Sequence, residues 1–250
     1  MLGLGASIGG PDPAIAAPLT DAVLTPYHAI KSSLPKLGAG TTVVVLGAGG
    51  LGHLGIQLLK ELCGAQIIAL DVNGLKLQLA KDSGADVTLL STDPNVVDMV
   101  HQHTGGRMAQ GVFDFAGFHE SLDVARQLVG VGDDFKIIGL GMGGATIPVG
   151  FFATPYEASV GTTYWGYREE LFEVIELAKA GKLNVHVERF SIDDAPKAYQ
   201  KLHDGTRYGR VVVVFLAPSD TTHLDMIQWL VSSGIEHDFQ ESESAQSDVG

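Results

Sequence analysis

Between residues 41 and 216, short apolar runs alternate with segments whose apolar positions recur at helical spacing. The runs are apolar throughout instead of at every second position, which is typical of strands buried on both faces of a parallel sheet. The pattern predicts an α/β fold with a doubly wound parallel sheet. The predicted strands are 41–47, 66–71, 86–90, 111–117, 135–141, 145–152, 159–166, 186–190 and 210–216, and the predicted helices are 18–37, 49–62, 74–85, 94–103, 119–129, 168–182 and 193–205.

The sequence divides into three parts. Residues 1–17 are rich in Gly, Pro and Ala and are interpreted as a lead-in, residues 18–216 as one nucleotide-binding domain with its entry helix, and residues 217–250 as a disordered acidic tail. The tail holds seven acidic residues and no Lys or Arg, so the other 216 residues carry only −6 of the formal −13. No basic patch favours nucleic acid or an anionic membrane surface as a partner.

Cysteine usage and hydropathy bear on the compartment. Cys63 is the single cysteine, which excludes an intramolecular disulfide and any all-cysteine zinc site within this chain. No run of 18 or more apolar residues occurs, and the first residues lack the pattern of a signal peptide. We therefore expect a soluble, cytoplasmic protein.

A glycine-rich loop follows the first predicted strand, in the sequence VVVLGAGGLGHLG. Gly47, Gly49 and Gly52 form GxGxxG between a strand and a helix, where the first allows a tight turn, the second lets the backbone approach a pyrophosphate, and the third lets helix and strand pack closely. The helix N-terminus then faces the phosphates with free N–H groups. Gly50 and Leu51 complete the loop.

An acidic residue closes the second predicted strand. Asp71 ends IIALD, 19 residues beyond Gly52, where a carboxylate accepts hydrogen bonds from the adenosine ribose hydroxyls and repels a 2′-phosphate. Strand, loop, helix and acid in this order predict a dinucleotide site that prefers NAD to NADP.

Several other residues have competing interpretations. The second glycine cluster, GLGMGG at 139–144, either borders the nicotinamide or is a simple turn. Tyr27 and Lys31 form YxxxK, but they precede the glycine loop, so coincidence is favoured over an acid/base pair. His53 is expected to pack in the first turn of the helix, and His101 and His103 to lie on an exposed helix end.

Asp21 interrupts the apolar stretch IAAPLTDAVLTPYHAI at 15–30. A buried carboxylate costs several kcal/mol unless it is neutralised, hydrogen-bonded or bound to a cation. From the stretch alone, a helix cap or a solvent-facing position is the favoured interpretation.

That stretch, followed by TTVVVLGAGGLGHLGIQLLK, resembles the zinc-dependent, medium-chain alcohol dehydrogenase family. The resemblance extends over about residues 16–216 and includes FDFAG, VGFF, YWGYREEL and GRVVVV. It looks closest to NAD-dependent secondary-alcohol dehydrogenases of bacteria in which an Asp is the third ligand of the catalytic zinc. The resemblance implies a Rossmann fold and hydride transfer between a primary or secondary alcohol and NAD.

The resemblance also implies site residues. It places Asp21 at the third zinc ligand and Thr25, one helical turn later, against the nicotinamide ring. Asp71 and Lys76, spaced as DxxxxK, fall on adenosine-ribose contacts, and Arg210 falls on a pyrophosphate contact. Contacts to the ribose and nicotinamide fall on Phe115, Ala116, Gly139 and Leu140.

The resemblance implies that the other two zinc ligands, a Cys and a His, belong to an N-terminal GroES-like catalytic domain, which we expect to be missing from these 250 residues. We therefore expect only the C-terminal nucleotide-binding part, with an incomplete zinc site and no identifiable catalytic residue beyond the metal position. The chain is interpreted as a truncated dehydrogenase, as one half of a two-chain enzyme, or as a non-catalytic NAD(H)-binding or interaction module. The alcohol, ketone or aldehyde substrate stays unspecified.

Assembly is also implied by the resemblance, because the family's nucleotide domains pair through their sheet edges. The segment SVGTTYWG at 159–166 either forms such a contact in a homo-oligomer or is an internal packed strand. Tyr164 and Trp165 either line the substrate pocket or pack in a core or interface.

Overall fold

A six-stranded, wholly parallel sheet forms the centre of the computed structural model, which describes residues 12–148, 154–206 and 208–215. Its strand order is β3-β2-β1-β4-β5-β6, the order of a Rossmann fold. The predicted fold class is confirmed. The strands of this sheet are β1 (Thr42–Leu46), β2 (Gln66–Asp71), β3 (Val87–Leu90), β4 (Ala109–Asp114), β5 (Val129–Ile137) and β6 (Ser159–Thr162).

Helices connect and cover these strands. They are α1 (Pro13–Ala16), α2 (Leu24–Ser33), α3 (Gly52–Leu62), α4 (Gly74–Asp82), α5 (Val96–His103), α6 (His119–Ala125), α7 (Arg168–Lys179) and α8 (Ala195–His203). Short 3₁₀ helices span Ala17–Thr20 and Leu34–Lys36. Within the described ranges, no helix is long and apolar enough to cross a membrane.

Burial on both faces explains why the strands are apolar throughout. Val43 and Val45 of β1 pack into one hydrophobic cluster, together with residues of α2, α3 and α7. Val44 and Leu46 face the opposite side and pack into a second cluster with residues of α5 and α6. Val43 to Leu46 are therefore all in a core, and an unpaired polar side chain would cost free energy on either face.

A separate two-stranded parallel sheet pairs β7 (Val187–Ser191) with β8 (Arg210–Val214). Two ion pairs join this ribbon to the N-terminal part of the described chain. Arg189 of β7 pairs with Asp12, the residue that caps α1, and Arg210 of β8 pairs with Asp21. The ribbon thus lies beside the entry to α2.

Some predicted boundaries are wrong. The helix expected over 18–37 is interrupted at residues 21–23, because Pro18 lies in a 3₁₀ turn and Pro26, which has no N–H to donate, lies in the first turn of α2. The helix expected over 119–129 ends at Ala125, since β5 starts at Val129 instead of at 135. The pairing of β4 with β5 shifts its register between Ala109 and Gly111. This shift separates the first residues of β5 from the apolar run at 135–141, by which the strand was predicted.

The strand expected over 145–152 is not formed in its described part, 145–148, while residues 149–152 lie outside the described residues. The strand expected over 159–166 ends at Thr162, and Trp165 beyond it has a left-handed φ of 52°. The acidic tail, 217–250, and residues 1–11 also lie outside the described residues.

Candidate nucleotide site

The loops that follow β1, β2, β4 and β5 meet at one edge of the sheet. Parallel strands bring their carboxyl ends to the same edge, and ligands of this fold bind where the strand order reverses, between β1 and β4. The glycine loop follows β1, and Ala116 follows β4. A Cβ added to Gly47 would lie 3.1 Å from the Cβ of Ala116, so the two loops are in close contact at this point.

Each glycine of GxGxxG has a distinct steric position. Gly47 has φ of 84°, a left-handed conformation that favours glycine. A Cβ on Gly49 would meet open space, so the backbone at this residue is open to a ligand. A Cβ on Gly52 would lie 1.8 Å from the carbonyl oxygen of Gly47, and the close approach of α3 to the end of β1 therefore requires glycine.

Asp71, which ends β2, is bound to the glycine loop. Its Oδ2 accepts a hydrogen bond of 2.8 Å from the N–H of Ala48, and its Oδ1 accepts one of 3.0 Å from the N–H of Asn73. The residue is 6% exposed. A carboxylate has about four acceptor sites, so these two bonds leave acceptor capacity for ribose hydroxyls. Lys76 follows in the first turn of α4.

The loops after β4 and β5 pack against each other through glycines. A Cβ on Gly139 would lie 2.3 Å from the carbonyl carbon of Ala116, and Gly143 donates a backbone hydrogen bond of 2.8 Å to Gly117. Phe115 lies under α3, because a Cβ on Gly55 would be 2.8 Å from its ring. Leu140 extends outward and is 73% exposed. Residues of both loops thus form one wall beside the glycine loop.

Sequence reasoning missed Asp114, which holds this wall in place. The side chain is fully buried at the end of β4, and it accepts hydrogen bonds from the N–H groups of Ala116 (2.7 Å) and Gly117 (2.8 Å) and from the hydroxyl of Ser121 (2.8 Å). Burial raises the pKa of Asp114, and these hydrogen bonds oppose that rise. The sequence signal that could have identified Asp114 is a carboxylate at the end of an apolar strand, just before a glycine turn.

His53 packs in the first turn of α3, as predicted. Its Nδ1 lies 2.7 Å from the carbonyl oxygen of Gly49, so Nδ1 carries the proton and donates it to the loop. The ring is fully buried, its Nε2 is without a partner among the described residues, and burial lowers the pKa of His53 to about 4. A neutral imidazole therefore anchors the glycine loop from the helix side.

Arg210 brings a positive charge to the same loop. A Cβ on Gly50 would lie 3.3 Å from both Cδ and Nη1 of Arg210, so the side chain lies against Gly50. Its Nη2 donates to Oδ2 of Asp21 at 3.0 Å. The hydroxyl of Thr25, a buried residue of α2, lies 3.4 Å from Oδ1 of the same carboxylate.

Asp21 lies at a partly solvent-facing position, one of the two interpretations favoured from the stretch alone. The neighbouring Ala22 and Val23 are fully buried, but the side chain of Asp21 is 46% exposed. It turns out of the apolar segment towards Arg210, because a half-exposed ion pair avoids the cost of carboxylate burial.

The described residues do not fit a zinc site. A catalytic zinc takes three protein ligands and keeps an open position. Among residues 12–148, 154–206 and 208–215, no three His, Cys, Asp or Glu residues converge to hold a metal ion. Asp21 as a zinc ligand stays a prediction.

Tyr27 and Lys31 have a structural partner. The Tyr27 hydroxyl and the Lys31 ammonium, 2.6 Å away, both donate to Oε2 of Glu173, which joins α2 to α7. Burial raises the pKa of Tyr27, and the neighbouring Glu173 adds to this rise. A phenol that stays protonated and bound to a carboxylate is a poor general base, which favours the coincidental interpretation of YxxxK.

His101, His103 and Cys63 lie at the ends of helices, away from the glycine loop. His101 and His103 are exposed in the last turn of α5, as predicted. Cys63 caps the end of α3, and its thiol donates to the carbonyl of Leu59. The rings of Tyr164 and Trp165 stack at 4.8 Å and are both more than half exposed, which contradicts core packing for this pair.

The arrangement is suited to hold a dinucleotide. It provides free N–H groups at the start of α3, a guanidinium beside the loop, and a carboxylate at the next strand end. A pyrophosphate would find positive potential at the loop, and ribose hydroxyls would find an acceptor at Asp71.

Comparison with known proteins agrees with this geometry. A family model described as zinc-binding dehydrogenase matches residues 50–180. An alcohol dehydrogenase of Geobacillus stearothermophilus is 30% identical over 203 residues, which are 81% of this chain and 58% of that protein.

Solved structures of an alcohol dehydrogenase and of a reductase are also similar to this chain. The alcohol dehydrogenase of the hyperthermophilic archaeon Aeropyrum pernix has a TM-score of 0.72 and 33% identity, and the match covers 80% of this chain and 57% of that chain. Acetophenone reductase from Geotrichum candidum, solved in complex with NAD, has a TM-score of 0.67 and 28% identity over 85% of this chain and 58% of that chain. This chain spans less than two thirds of the length of each of these relatives, and it belongs to the zinc-binding dehydrogenase family.

Proposed function

We propose that this chain binds NAD(H) and is the cofactor-binding portion of a zinc-type alcohol dehydrogenase. The observation that carries the proposal is the position of the Arg210 guanidinium against Gly50, beside the N-terminus of α3. A helix N-terminus with an adjacent guanidinium attracts a pyrophosphate, because both provide N–H donors and positive potential.

The adenosine half of the cofactor is assigned to the β2 side of the loop. Asp71 accepts hydrogen bonds from the ribose hydroxyls, and Lys76 follows it in the first turn of α4. A 2′-phosphate beside this carboxylate would be repelled, which supports NAD over NADP.

The nicotinamide half is assigned to the wall formed after β4 and β5. Phe115 and Ala116 lie on one side of it, and Gly139 and Leu140 on the other. Thr25 of α2 is assigned to the nicotinamide ring by the family resemblance alone. When bound, NAD supplies the hydride acceptor at its nicotinamide ring, and these residues orient the ring and exclude water from one face.

The overall reaction proposed for the complete enzyme is hydride transfer between a primary or secondary alcohol and NAD. We propose that these 250 residues alone bind the cofactor without oxidising alcohol, because the described residues bring no metal-ligand set together. The alternative function is a non-catalytic NAD(H)-binding or interaction module. The contact of Asp21 with Arg210 favours this alternative, since the carboxylate expected at the metal already has a partner.

Assembly through the nucleotide domains is proposed from the edge of the sheet. Among the described residues, β6 pairs with β5 alone, and Val160 on this edge strand is 38% exposed. An open strand edge with exposed apolar residues is suited to pairing with a second copy. We also propose a cytoplasmic location, in agreement with the single cysteine.

Titration of the full chain with NADH, followed by nucleotide fluorescence, tests the binding proposal. The expected result is saturable binding of one NADH per chain, with weaker binding of NADPH. Zinc content and NAD reduction with 2-propanol, measured on the same sample, test the proposal that the chain alone does not oxidise alcohol. Turnover comparable to that of an intact dehydrogenase would overturn the proposal that the chain is inactive alone, and absence of NADH binding would overturn the function itself.

A further inference from the structure

The family resemblance assigns Asp21 to the catalytic zinc and Arg210 to the pyrophosphate of the cofactor. In this structure the two side chains form an ion pair with each other. Oδ2 of Asp21 accepts from Nη2 of Arg210 at 3.0 Å. The other terminal nitrogen, Nη1, lies on the side of Gly50. One end of the guanidinium is thus held by the carboxylate, while the other is directed to the glycine loop.

The backbone around both residues is well fixed. Asp21 precedes α2, and its carbonyl oxygen accepts the N–H of Thr25 at 2.9 Å. Arg210 begins β8, and its N–H donates to the carbonyl of His186 at 2.8 Å. The long Arg210 side chain is therefore the flexible part of the arrangement, and Asp21 restricts its rotamers.

We propose that Asp21 is a positioning residue, which holds the Arg210 guanidinium over the glycine loop for the cofactor's pyrophosphate, and that it does not act as a metal ligand in this chain. This inference rests on the proposed NAD(H) function. The described residues cannot complete a metal site around Asp21. For the positioning role, the partner Arg210, the distance of 3.0 Å and the direction of the hydrogen bond are all observed.

The direction in which the NADH affinity changes after removal of Asp21 distinguishes a positioning role from a purely electrostatic one. Asp21 lies near the expected phosphates, so removal of its negative charge would by Coulomb's law favour binding of the anion. Loss of positioning has the opposite effect, because Arg210 then has to be ordered when the nucleotide binds. Weaker NADH binding after removal of Asp21 would therefore report the loss of positioning.

The experiment uses the full chain and measures the Kd for NADH by calorimetry. Asp21→Ala removes the acceptor, and Asp21→Asn keeps an oxygen acceptor without the charge. Arg210→Ala and the double variant Asp21→Ala/Arg210→Ala complete a double-mutant cycle. Asp12→Ala is the matched control, since it breaks the Arg189 ion pair of the same ribbon, which is comparably exposed.

We expect Asp21→Ala to raise the Kd about threefold, in the range of exposed ion pairs, and Asp21→Asn to bind within about twofold of the wild type. Arg210→Ala is expected to raise the Kd at least about tenfold, and the Asp21 effect should vanish in its background. Asp12→Ala is expected to leave the Kd unchanged.

Tighter or unchanged binding by Asp21→Ala would overturn the positioning role while the NAD(H) function stands. No NADH binding by the wild type would overturn both. A parallel calorimetric titration with Zn²⁺ alone provides the metal test. Stoichiometric Zn²⁺ binding that is lost in Asp21→Ala would show a metal ligand and overturn the inference, whereas equal behaviour of the two proteins would support it.

Discussion

The carboxylate of Asp71 accepts a hydrogen bond of 2.8 Å from the backbone N–H of Ala48, which ties the end of β2 to the glycine loop after β1. Its second oxygen accepts the N–H of Asn73 at 3.0 Å. The same side chain therefore shapes the loop, and we propose that it also receives a ribose. These two roles make Asp71 the most informative single position for cofactor preference.

Asp71→Asn is expected to weaken NADH binding about tenfold, because an amide nitrogen cannot accept from a backbone N–H and one loop contact is lost. Binding of NADPH should weaken less, since the repulsion of a 2′-phosphate is removed. Fluorescence titrations with both nucleotides check this. Asp82→Asn, on the exposed surface of α4, is the control and should behave as the wild type. An unchanged ratio of the two Kd values would contradict the ribose role.

The buried His53 predicts a pH dependence of stability. Burial lowers the pKa of His53 to about 4, while an unfolded histidine titrates near 6.5. The unfolded state then binds the extra proton below pH 6.5, so the stabilising contribution is complete above that pH and is lost as the pH falls towards 4. Between pH 7 and pH 5, the free energy of unfolding should fall by about 2 kcal/mol on account of His53.

Urea unfolding of the wild type and of His53→Asn at both pH values measures this difference. The Asn amide keeps a donor for the Gly49 carbonyl and does not titrate, so the fall should be smaller by about the same amount in the variant. His103→Asn, on the exposed end of α5, should match the wild type. Identical pH dependence of His53→Asn and the wild type would rule out a buried, neutral His53.

Tyr27→Phe tests whether YxxxK is structural. Removal of the hydroxyl breaks the bond to Glu173, and we expect the free energy of unfolding to fall by about 1 kcal/mol with the NADH Kd unchanged. Tyr199→Phe is the control, because Tyr199 is 71% exposed on α8, and it should change neither quantity. A loss of NADH affinity in Tyr27→Phe without a loss of stability would indicate instead that the tyrosine serves the cofactor site.

The buried strands and the glycine loop were predictable because their signals are local. Val43 to Leu46 are all apolar since both faces of β1 are covered. Gly47 is favoured by its left-handed φ, and Gly52 is required by its contact with the carbonyl oxygen of Gly47, five residues earlier. The break in the first helix was less visible, although Pro18 and Pro26 were the physical reason for it.

The pairings of polar side chains could not be predicted in the same way. Asp21 and Arg210 are 189 residues apart, and Tyr27 and Glu173 are 146 apart. Such pairs depend on where β8 and α7 pack, which no local pattern specifies. For the same reason, the sequence alone left open whether Asp21 was buried, while the structure shows it half exposed beside a guanidinium.

If the loop from Gly47 to Gly52 binds the pyrophosphate of NAD(H), as we propose, a change in the geometry of this loop must change the affinity for NADH. A Cβ on Gly52 would lie 1.8 Å from the Gly47 carbonyl oxygen, so Gly52→Ala must move α3 away from β1, whereas Gly38→Ala adds its Cβ in open space. We expect one NADH per chain for the wild type and Gly38→Ala, and binding weaker by about tenfold or more for a folded Gly52→Ala. Equal affinity of Gly52→Ala and the wild type, or no binding by either, would contradict this role of the loop.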